Sequence, residues 1–498
     1  MYSKFRTILL SLLWTIFCVG AWADCRDNLT VRASTGTYIG FINGTAPNVR
    51  QFLDLPYAVP PVGSRRWLPA IPPTTGPSTR IIATSAAPIC PQYHGTALNI
   101  YDELPAGHRI PRGPGTQSED CLSLSIWTPT GDVRNLPVIV FIHGGAFAIG
   151  GVNVPYQLPH NWVQRTQSHI VISINYRLGI LGFPNARGLM SQNLGIMDQR
   201  LAVEWVQRNI RAFGGDPSRI TLWGQSAGAT STDLHGFAYH DRPIVKGLVM
   251  ESGTALLPLF SNDIAQTNFT FVASHFGCGE LDAASELTCM RDKPVEDIIE
   301  FVGRTRAANT TLSFVPIPDE KVVFANYTDR YARGLVAQLP AMIGSTSDEG
   351  TVLAPYPNLT QGPDRALVDL LTQQNFLCPA YATSKLRAQR HLPTYRYEYA
   401  GNFSNLSPFP WIGAYHSGDL PYFFGSYGDF HAGSEEDDVR TSRAIQDFLL
   451  AFMRDPWNGS RRRGWKDYTA GKMLRFGAKG EEAGFVEVEA ETVDDACY

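Results

Sequence analysis

Several features are scarce in this sequence, and their scarcity limits what the protein can be. Charged residues make up 18% of the 498 residues and the formal net charge is -4, which provides no strongly basic face for nucleic acid. After the first 23 residues no run is long and apolar enough to span a bilayer, so no stable membrane anchoring is expected. No cluster of Cys and His has metal-ligand spacing. We therefore expect neither a metal nor an organic cofactor.

The N-terminal segment has the pattern of a secretory signal peptide. Lys4 and Arg6 precede an apolar run over residues 8–19, and Ala21 and Ala23 form an A-x-A cleavage site. A membrane anchor is the alternative, but the run is shorter than the roughly 20 apolar residues that a span needs. The sequence predicts a signal peptide over residues 1–23 and a secreted protein. Because no linker divides the rest, residues 24–498 are predicted to form one domain.

Potential glycosylation sites agree with export. The chain has nine Asn-x-Ser/Thr sequons, and in a secreted protein some of them are expected to be glycosylated. The sequons begin at Asn28, Asn43, Asn268, Asn309, Asn326, Asn358, Asn402, Asn405 and Asn458.

Short apolar runs alternate with longer helical patterns along the chain. This alternation predicts an α/β fold with a mostly parallel central sheet flanked by helices. Apolar residues at helical spacing predict one helix within residues 201–213 and another around residues 445–452, which ends before Pro456. The strand candidates are residues 138–142, 170–174, 220–223, 248–250 and 341–343.

The loop after the third of these strands contains a nucleophile motif. Residues 224–228 have the sequence G-x-S-x-G with Ser226 at its centre. In a nucleophile elbow the serine occupies a strained turn between a strand and a helix. The flanking glycines are needed because a Cβ at either position would collide with the neighbouring strand or helix. Since the motif lies between an apolar strand and a small-residue helix start, Ser226 is the candidate nucleophile.

The loop after residues 138–142 is rich in glycine. It begins with His143 and continues Gly-Gly-Ala-Phe over residues 144–147. Attack on an ester carbonyl leaves a negative oxygen, and each fixed backbone N–H donor stabilises it by about 3 kcal/mol. An isolated Gly-Gly is usually an ordinary turn. Together with the elbow, this loop is interpreted as an oxyanion hole.

A serine nucleophile needs a base, and the base needs an orienting acid. In chain order the expected sequence is Ser, acid, His. Asp348 and Glu349 follow the last strand candidate, and His391, His416 and His431 lie further on. Order alone leaves both choices open.

Further motifs occur in order along the chain. Residues 118–124 and 224–229 match two family signatures. Other matches are residues 52–63, 175–179, 193–199 and 213–217. On these motifs the chain resembles the type-B carboxylesterase/lipase family, which includes the cholinesterases and some fungal lipases, and it is closest in character to secreted fungal members. The resemblance implies an α/β-hydrolase fold and hydrolysis of carboxylic esters.

The resemblance also implies roles for individual residues. The Glu of the family's Asp-Glu-Gly motif matches Glu349, and its catalytic His matches His416, so the implied triad is Ser226, Glu349 and His416. Ser252 matches a serine that supports the acid. The implied oxyanion-hole donors are the N–H groups of Gly145, Ala146 and Ala227. Many members have a third glycine in place of the alanine that precedes Phe147, which predicts a different pocket shape.

The cysteines are odd in number once the signal peptide is removed. Cys18 lies within that peptide, and seven of the eight cysteines remain. The resemblance implies two disulfides, which pair Cys90 with Cys121 and Cys278 with Cys289. One pair among Cys25, Cys378 and Cys497, such as Cys378 with Cys497, would leave one thiol free. The sequence does not decide between these pairs.

A serine carboxylesterase acting on a small-molecule ester fits these features best. An interfacial lipase needs an amphipathic lid between Cys90 and Cys121, but that loop is rich in charge, Pro and Gly. A cholinesterase is expected to have Trp in this loop, which instead has Tyr93 and Tyr101. A non-catalytic binding protein is disfavoured because the triad and oxyanion positions are intact. The ester itself and the oligomeric state stay open.

Overall fold

The computed structural model describes residues 29–95, 100–104, 109–112, 115–308, 311–429 and 436–498. Five features of the sequence lie outside these residues. They are the signal peptide over residues 1–23, Cys25, the sequons at Asn28 and Asn309, and His431.

The strands of the described residues include all five strand candidates. The candidate at residues 170–174 has the bounds of the observed strand, and the other four lie within longer strands. In chain order the strands are β1 (Thr30–Ala33), β2 (Gly36–Ile39), β3 (Phe41–Ile42), β4 (Val49–Pro56), β5 (Arg80–Ile82), β6 (Ser123–Pro129), β7 (Leu136–Ile142), β8 (Ile170–Ile174), β9 (Gly215–Gln225), β10 (Gly247–Glu251), β11 (Ala341–Thr346), β12 (Thr394–Tyr399), β13 (Lys472–Phe476) and β14 (Phe485–Glu489).

Eleven of these strands form the central sheet. Its order is β14-β13-β12-β11-β10-β9-β7-β8-β6-β4-β3, and a second sheet has the order β1-β2-β5. The strands from β13 to β8 are mutually parallel, and the outer pairs β13–β14, β8–β6, β6–β4 and β4–β3 are antiparallel. The predicted α/β fold with a mostly parallel sheet is confirmed, in the arrangement of an α/β-hydrolase.

Helices flank this sheet in the described chain. Both predicted helices are present as α4 and α13, and α4 continues into a 3-10 turn over Ile210–Phe213. The helices are α1 (Ile100–Glu103), α2 (His160–Thr166), α3 (Gly179–Gly182), α4 (Leu194–Asn209), α5 (Ala227–Ala238), α6 (Thr267–His275), α7 (Ala283–Arg291), α8 (Val295–Ala307), α9 (Tyr327–Ala332), α10 (Arg365–Thr372), α11 (Cys378–Gln389), α12 (Leu420–Phe424), α13 (Glu436–Arg454), α14 (Gly459–Arg462) and α15 (Ala490–Asp494). None of the helices described is both long and apolar enough to cross a membrane.

The two faces of the sheet pack into separate apolar layers. Successive side chains of a strand point to opposite faces. In β7, Val138, Val140 and Ile142 belong to one buried cluster, whereas Ile139 and Phe141 belong to another. Because both faces are covered, the central strands are almost wholly apolar, as parallel strands require.

Three disulfides stabilise the periphery of this fold. Cys90 pairs with Cys121, and Cys278 pairs with Cys289, as the resemblance implies. The third bond joins Cys378, at the start of α11, to Cys497 near the C-terminus. It is one of the pairings that the sequence left open.

Candidate active site

Ser226 lies on the sharp turn between β9 and α5. Its φ of 57° and ψ of -123° are strained for a residue with a side chain. A Cβ on Gly224 would lie 2.0 Å from the carbonyl oxygen of Gly228, and one on Gly228 would lie 2.0 Å from that of Ile142 in β7. These are the collisions expected from the G-x-S-x-G motif. Only glycine at both positions lets the strand and the helix approach closely enough for this turn.

The glycine-rich loop after β7 lies beside this turn. Gly145, Ala146 and Phe147 all have positive φ, at 103°, 53° and 57°. A Cβ on Gly145 would lie 2.2 Å from the carbonyl oxygen of Ile149, so this position requires glycine. The N–H groups of Gly145, Ala146 and Ala227 have no hydrogen-bond acceptor among the described residues. The last of these is a free donor at the N-terminus of α5. Three backbone donors are therefore available next to Ser226.

His143 is the first residue of this loop and is held in place by Tyr176. Its ring stacks on that of Tyr176 with centroids 4.6 Å apart, and the Tyr176 hydroxyl donates to the His143 carbonyl oxygen at 3.0 Å. Burial lowers the pKa of His143 to about 4, so its ring is neutral at neutral pH. The ring nitrogen Nδ1 lies 2.8 Å from the Gly144 carbonyl oxygen. The neutral ring with its proton on Nδ1 therefore donates to that oxygen.

His416 and Glu349 form a buried hydrogen-bonded pair. Nδ1 of His416 lies 2.5 Å from Oε2 of Glu349, and the Thr346 N–H donates to Oε1 of the same carboxylate at 2.8 Å. Glu349 is fully buried, whereas 7% of the surface of His416 is exposed. The ring of Phe376, from a π-helical turn over Gln373–Leu377, packs on His416 with centroids 4.7 Å apart. Of the two candidate carboxylates, Glu349 contacts the histidine.

Asp348 has a different set of partners. Its carboxylate accepts from Arg365 at 2.6 Å, from the Ser347 hydroxyl at 2.7 Å and from the Ala414 N–H at 3.2 Å. The Asp348 N–H also donates to the Ala414 carbonyl oxygen at 3.0 Å. Asp348 thus joins the loop after β11 to the segment before His416. His391 is exposed on the connection between α11 and β12 and does not line the cavity described below.

Gln225 contacts the other nitrogen of the candidate base. Its Nε2 lies 3.2 Å from Nε2 of His416. With the imidazole proton on Nδ1 towards Glu349, Nε2 is an acceptor and the Gln225 amide donates to it. The Ser226 hydroxyl makes no hydrogen bond to His416, although both residues line the same cavity. Catalytic hydrogen bonds are often long or absent before substrate binds, and a rotation of the serine hydroxyl changes its partner.

Tyr101 contacts the backbone of His416. The Tyr101 hydroxyl donates to the His416 carbonyl oxygen at 2.9 Å, and the Ser417 hydroxyl donates to the same oxygen at 2.5 Å. Tyr101 belongs to α1, which lies in the loop closed by Cys90 and Cys121. This loop therefore contacts the segment around His416 directly.

Ser252 is buried behind the site and makes no side-chain hydrogen bond in the described structure. Its N–H donates to the Gly344 carbonyl oxygen at 2.8 Å, which joins the end of β10 to β11. It therefore contacts the strand that precedes the acid through its main chain. The Glu349 carboxylate instead accepts from Thr346 and His416.

Two further carboxyl groups are buried near the acid. Burial first, and then the charge of Glu349, raise the pKa of Asp419 to about 8. Burial and then the charge of Asp419 raise the pKa of Glu251 well above its ordinary value. The side chain of Tyr397 lies against both carboxyl groups. At neutral pH Asp419 is therefore mostly protonated, which limits the negative charge beside Glu349.

A cavity of about 620 Å³ opens onto these groups. Ser226, His416, Gly145 and Ala146 line it, whereas Ala227, Ser252 and Glu349 lie behind its wall. Its size and depth are typical of a site for a small organic molecule. The geometry offers a hydroxyl, an imidazole paired with a carboxylate, and free backbone donors in one concave space. Such a set can add a hydroxyl to a carbonyl and stabilise the oxyanion that forms.

The sequence did not identify Gln225 or Tyr101 as residues that position the candidate base, whereas it offered Asp348 only as an alternative to Glu349 for the acid. Gln225 is adjacent to the nucleophile, and that proximity is the one local signal that would have indicated its role. Tyr101 contacts His416 across a separation of 315 residues. No pattern within the chain predicts such a contact.

Comparisons with known proteins agree with this geometry. The model named Carboxylesterase family matches residues 27–363 and 357–491. A chlorogenic acid esterase of Aspergillus niger is 42% identical over 87% of this chain and 84% of its own length. The Gibberella zeae protein named secreted lipase 5 is 40% identical over 88% of this chain and 87% of its own. A rat pyrethroid hydrolase, Ces2e, is 30% identical over 83% of this chain and 79% of its own length. The chain therefore belongs to the carboxylesterase family of hydrolases.

Proposed function

We propose that this chain is a secreted serine carboxylesterase that hydrolyses carboxylic esters through an acyl-serine intermediate. The observation that supports this most is the 2.5 Å contact between His416 and Glu349, in a cavity that Ser226 also lines. A hydroxyl, a base and an orienting acid are the minimum set for nucleophilic catalysis by serine. In this proposal Ser226 is the nucleophile, His416 the base and Glu349 the acid.

The first half of the reaction transfers the acyl group to the enzyme. Nε2 of His416 leaves Gln225 and takes the Ser226 proton as Oγ bonds to the ester carbonyl carbon. The carbonyl oxygen becomes an oxyanion, which accepts hydrogen bonds from the N–H groups of Gly145, Ala146 and Ala227. Collapse of this intermediate breaks the ester C–O bond. The leaving alkoxide takes the proton from His416 and departs as an alcohol, so that an acyl-serine remains.

The second half releases the acid. A water molecule gives a proton to His416 as its oxygen attacks the acyl carbon, and a second oxyanion forms in the same hole. Collapse breaks the bond to Oγ, and His416 returns the proton to Ser226. The carboxylate of Glu349 stabilises the imidazolium in each half-reaction and keeps the ring in its orientation. The enzyme ends in its starting state, and the net change is one ester bond hydrolysed by one water.

A soluble ester is the favoured substrate over a lipid surface. In the described part of the loop between Cys90 and Cys121, the one helix is α1, which has four residues and is too short for an amphipathic lid. Relatives include proteins named both chlorogenic acid esterase and secreted lipase. We propose that this chain acts on dissolved esters, including those of aromatic acids, because tyrosines line its cavity.

Secretion is supported by the predicted signal peptide and the three disulfides. Of the sequon residues in the described chain, Asn43, Asn326, Asn358, Asn402 and Asn458 are exposed. Asn405 is 7% exposed and its amide donates to the Tyr427 carbonyl oxygen, so the folded protein leaves little space for a glycan there. Asn268 is half-buried and donates to Ser313. Glycans are expected at exposed sites.

The test is hydrolysis of p-nitrophenyl esters from acetate to palmitate by wild type and by Ser226→Ala. Loss of a catalytic nucleophile is expected to lower kcat by at least about 10⁴-fold. Ser218→Ala is a matched control, because Ser218 is exposed near the start of β9 and its hydroxyl donates to Asp216. Activity that peaks at short chains and disappears only in Ser226→Ala supports the proposal. Activity retained in Ser226→Ala overturns it, and a folded wild type with no activity favours a binding protein.

A further inference from the structure

The wall of the cavity is cationic although the protein as a whole is acidic. Arg109, Arg112 and Arg306 line it, and Asp102 is the one carboxylate among the described lining residues. The formal net charge of the chain is -4. A local excess of positive charge in a concave site attracts anions, because low-dielectric walls focus the field.

Only one of the three guanidinium charges is neutralised by a carboxylate. Arg112 forms a salt bridge to Asp102 at 3.0 Å. Arg109 donates to the Asp102 carbonyl oxygen at 2.7 Å and 3.1 Å, which is a bond to a neutral group. The guanidinium group of Arg306 has no hydrogen bond or salt bridge to any residue that the structure describes. The lining residues therefore leave two positive charges uncompensated.

The fold brings Arg306 to this wall through a close helix contact. Arg306 lies in the last turn of α8, one turn after Gly303. A Cβ on Gly303 would lie 1.9 Å from the ring of Tyr93, another residue of the cavity wall. The absence of a side chain at Gly303 thus lets α8 pack against the cavity. Arg304, two residues earlier in the same turn, pairs with Glu300 and does not line the cavity.

Two polar atoms of the same wall lack partners. Nε2 of His94 and the hydroxyl of Tyr356 are buried and make no hydrogen bond in the described structure. Burial, followed by the nearby Arg112 charge, lowers the pKa of His94, so the ring is neutral at neutral pH. A buried polar atom without a partner costs free energy. Both atoms are closed off from the cavity, so a bound molecule contacts them only after a side chain of the wall moves.

We propose that this wall is a binding site for a carboxylate on the ester substrate, with Arg306 and Arg109 as its cationic partners. The preferred substrate is then an anionic ester and not a neutral ester of the same shape. This inference rests on the proposed function, because it names the substrate class of that same site.

The test compares two esters that differ only in this charge. Chlorogenic acid has a free carboxylate on its alcohol part, and its methyl ester lacks that charge; release of caffeate is measured for both. Monoethyl and diethyl adipate form a second pair, in which the carboxylate belongs to the acyl part, so the two pairs show which part of the ester the site binds. The quantity measured is the ratio of kcat/KM for the anionic ester to that for the neutral one.

In Arg306→Gln this ratio is expected to fall about fivefold for at least one pair, the size of one exposed ion pair. Arg306→Lys is expected to restore most of it, because the charge returns. Arg304→Gln is the matched control on the same helix and is expected to leave the ratio unchanged. In wild type, added NaCl is expected to lower the ratio, since screening weakens exposed charge pairs.

An unchanged ratio in Arg306→Gln for both pairs overturns the inference. So does an equal fall in Arg304→Gln, because the effect would then come from the surface field in general. Parallel assays with p-nitrophenyl butyrate separate this failure from that of the proposed function. If wild type hydrolyses that ester and Ser226→Ala does not, the esterase stands whatever the charge ratio shows.

Discussion

Gln225 occupies the nitrogen of His416 that a general base would use. Its amide lies 3.2 Å from Nε2, whereas Nδ1 is bonded to Glu349. This contact holds the ring in the tautomer that accepts a proton at Nε2. A neutral side chain at position 225 therefore affects both the orientation and the charge of the base.

Gln225→Glu is expected to shift the pH profile of the enzyme. A carboxylate beside Nε2 favours the protonated imidazolium, which does not act as a base. The acid limb of kcat/KM for p-nitrophenyl butyrate should move to higher pH by about one unit. Gln225→Met, which removes the amide without adding charge, should leave that limb where it is. An acid limb at the wild-type position in Gln225→Glu would show that residue 225 does not face the working base.

A second residue, Asp419, makes the stability of the folded protein depend on pH. Its pKa, raised from 3.8 to about 8 by burial and then by the Glu349 charge, lies well above that of the unfolded chain. Between these values the folded protein keeps a proton that the unfolded chain has released. The free energy of unfolding contributed by this group therefore falls as pH rises from about 4 to 8.

In Asp419→Asn the side chain does not ionise, so this fall in the free energy of unfolding with rising pH is removed. The difference in Tm between Asp419→Asn and wild type should be more positive at pH 8 than at pH 5, as measured by calorimetry. Asp241→Asn, at an exposed aspartate, should show no such difference between the two pH values. A Tm difference that stays constant or becomes more negative with pH would contradict a raised pKa at Asp419.

At the scale of elements, the site depends on how closely β7, β9 and α5 approach one another. Gly224 and Gly228 allow the elbow, and each has less than 2.5 Å of space for a Cβ against backbone atoms. Backbone atoms move only if the elements separate. The position of Ser226 relative to the glycine-rich loop after β7 therefore requires glycine at both places.

Gly228→Ala is expected to destabilise the protein by at least about 3 kcal/mol or to prevent folding, because its methyl group would overlap the end of β7. Gly236→Ala lies in the same helix, where the nearest atom is a side-chain carbon at 3.4 Å, an ordinary contact. That control should stabilise the protein by up to about 1 kcal/mol through helix propensity. Denaturant unfolding of both variants measures the contrast. Equal stabilities would mean that the elbow is not tightly packed.

The elements were predictable where local patterns determine them. Residues 138–142 and 170–174 are buried on both faces, so each is apolar, apart from Ser173, and indicates a central strand. Residues 224–228 were predictable because steric demands make their glycines part of a motif. By contrast, the choice of Glu349 over Asp348 depends on which carboxylate the turn after β11 directs towards a residue 67 positions later. The sequence around Asp348 and Glu349 does not indicate that contact.

At the scale of the whole molecule, disulfides join distant parts of the chain. Cys378 and Cys497 are 119 residues apart, whereas Cys278 and Cys289 are 11 apart. The pairing of Cys378 with Cys497 could not be predicted from the sequence, because Cys25 was a third candidate for a bond with either of them. In the structure, α11 and the C-terminal turn contact each other, which brings these two sulfur atoms together.

Removing the longer-range bond is expected to cost more stability. By the chain-entropy model, the double variant Cys378→Ser/Cys497→Ser should lose roughly 5 kcal/mol and Cys278→Ser/Cys289→Ser roughly 3 kcal/mol. Denaturant unfolding of both, with wild type as reference, gives the order. The reverse order would show that native-state packing around these bonds, and not loop closure, determines their contribution.

The most direct test of the account is covalent labelling of the folded protein with a fluorophosphonate, followed by peptide mass spectrometry. Such a probe reacts with a serine hydroxyl that a neighbouring base activates. We expect one label per chain, on Ser226, with labelling abolished in Ser226→Ala and strongly slowed in His416→Ala and Glu349→Ala. A label on another residue, or a Ser226 that reacts as fast without His416 as with it, would contradict the triad and the function proposed from it.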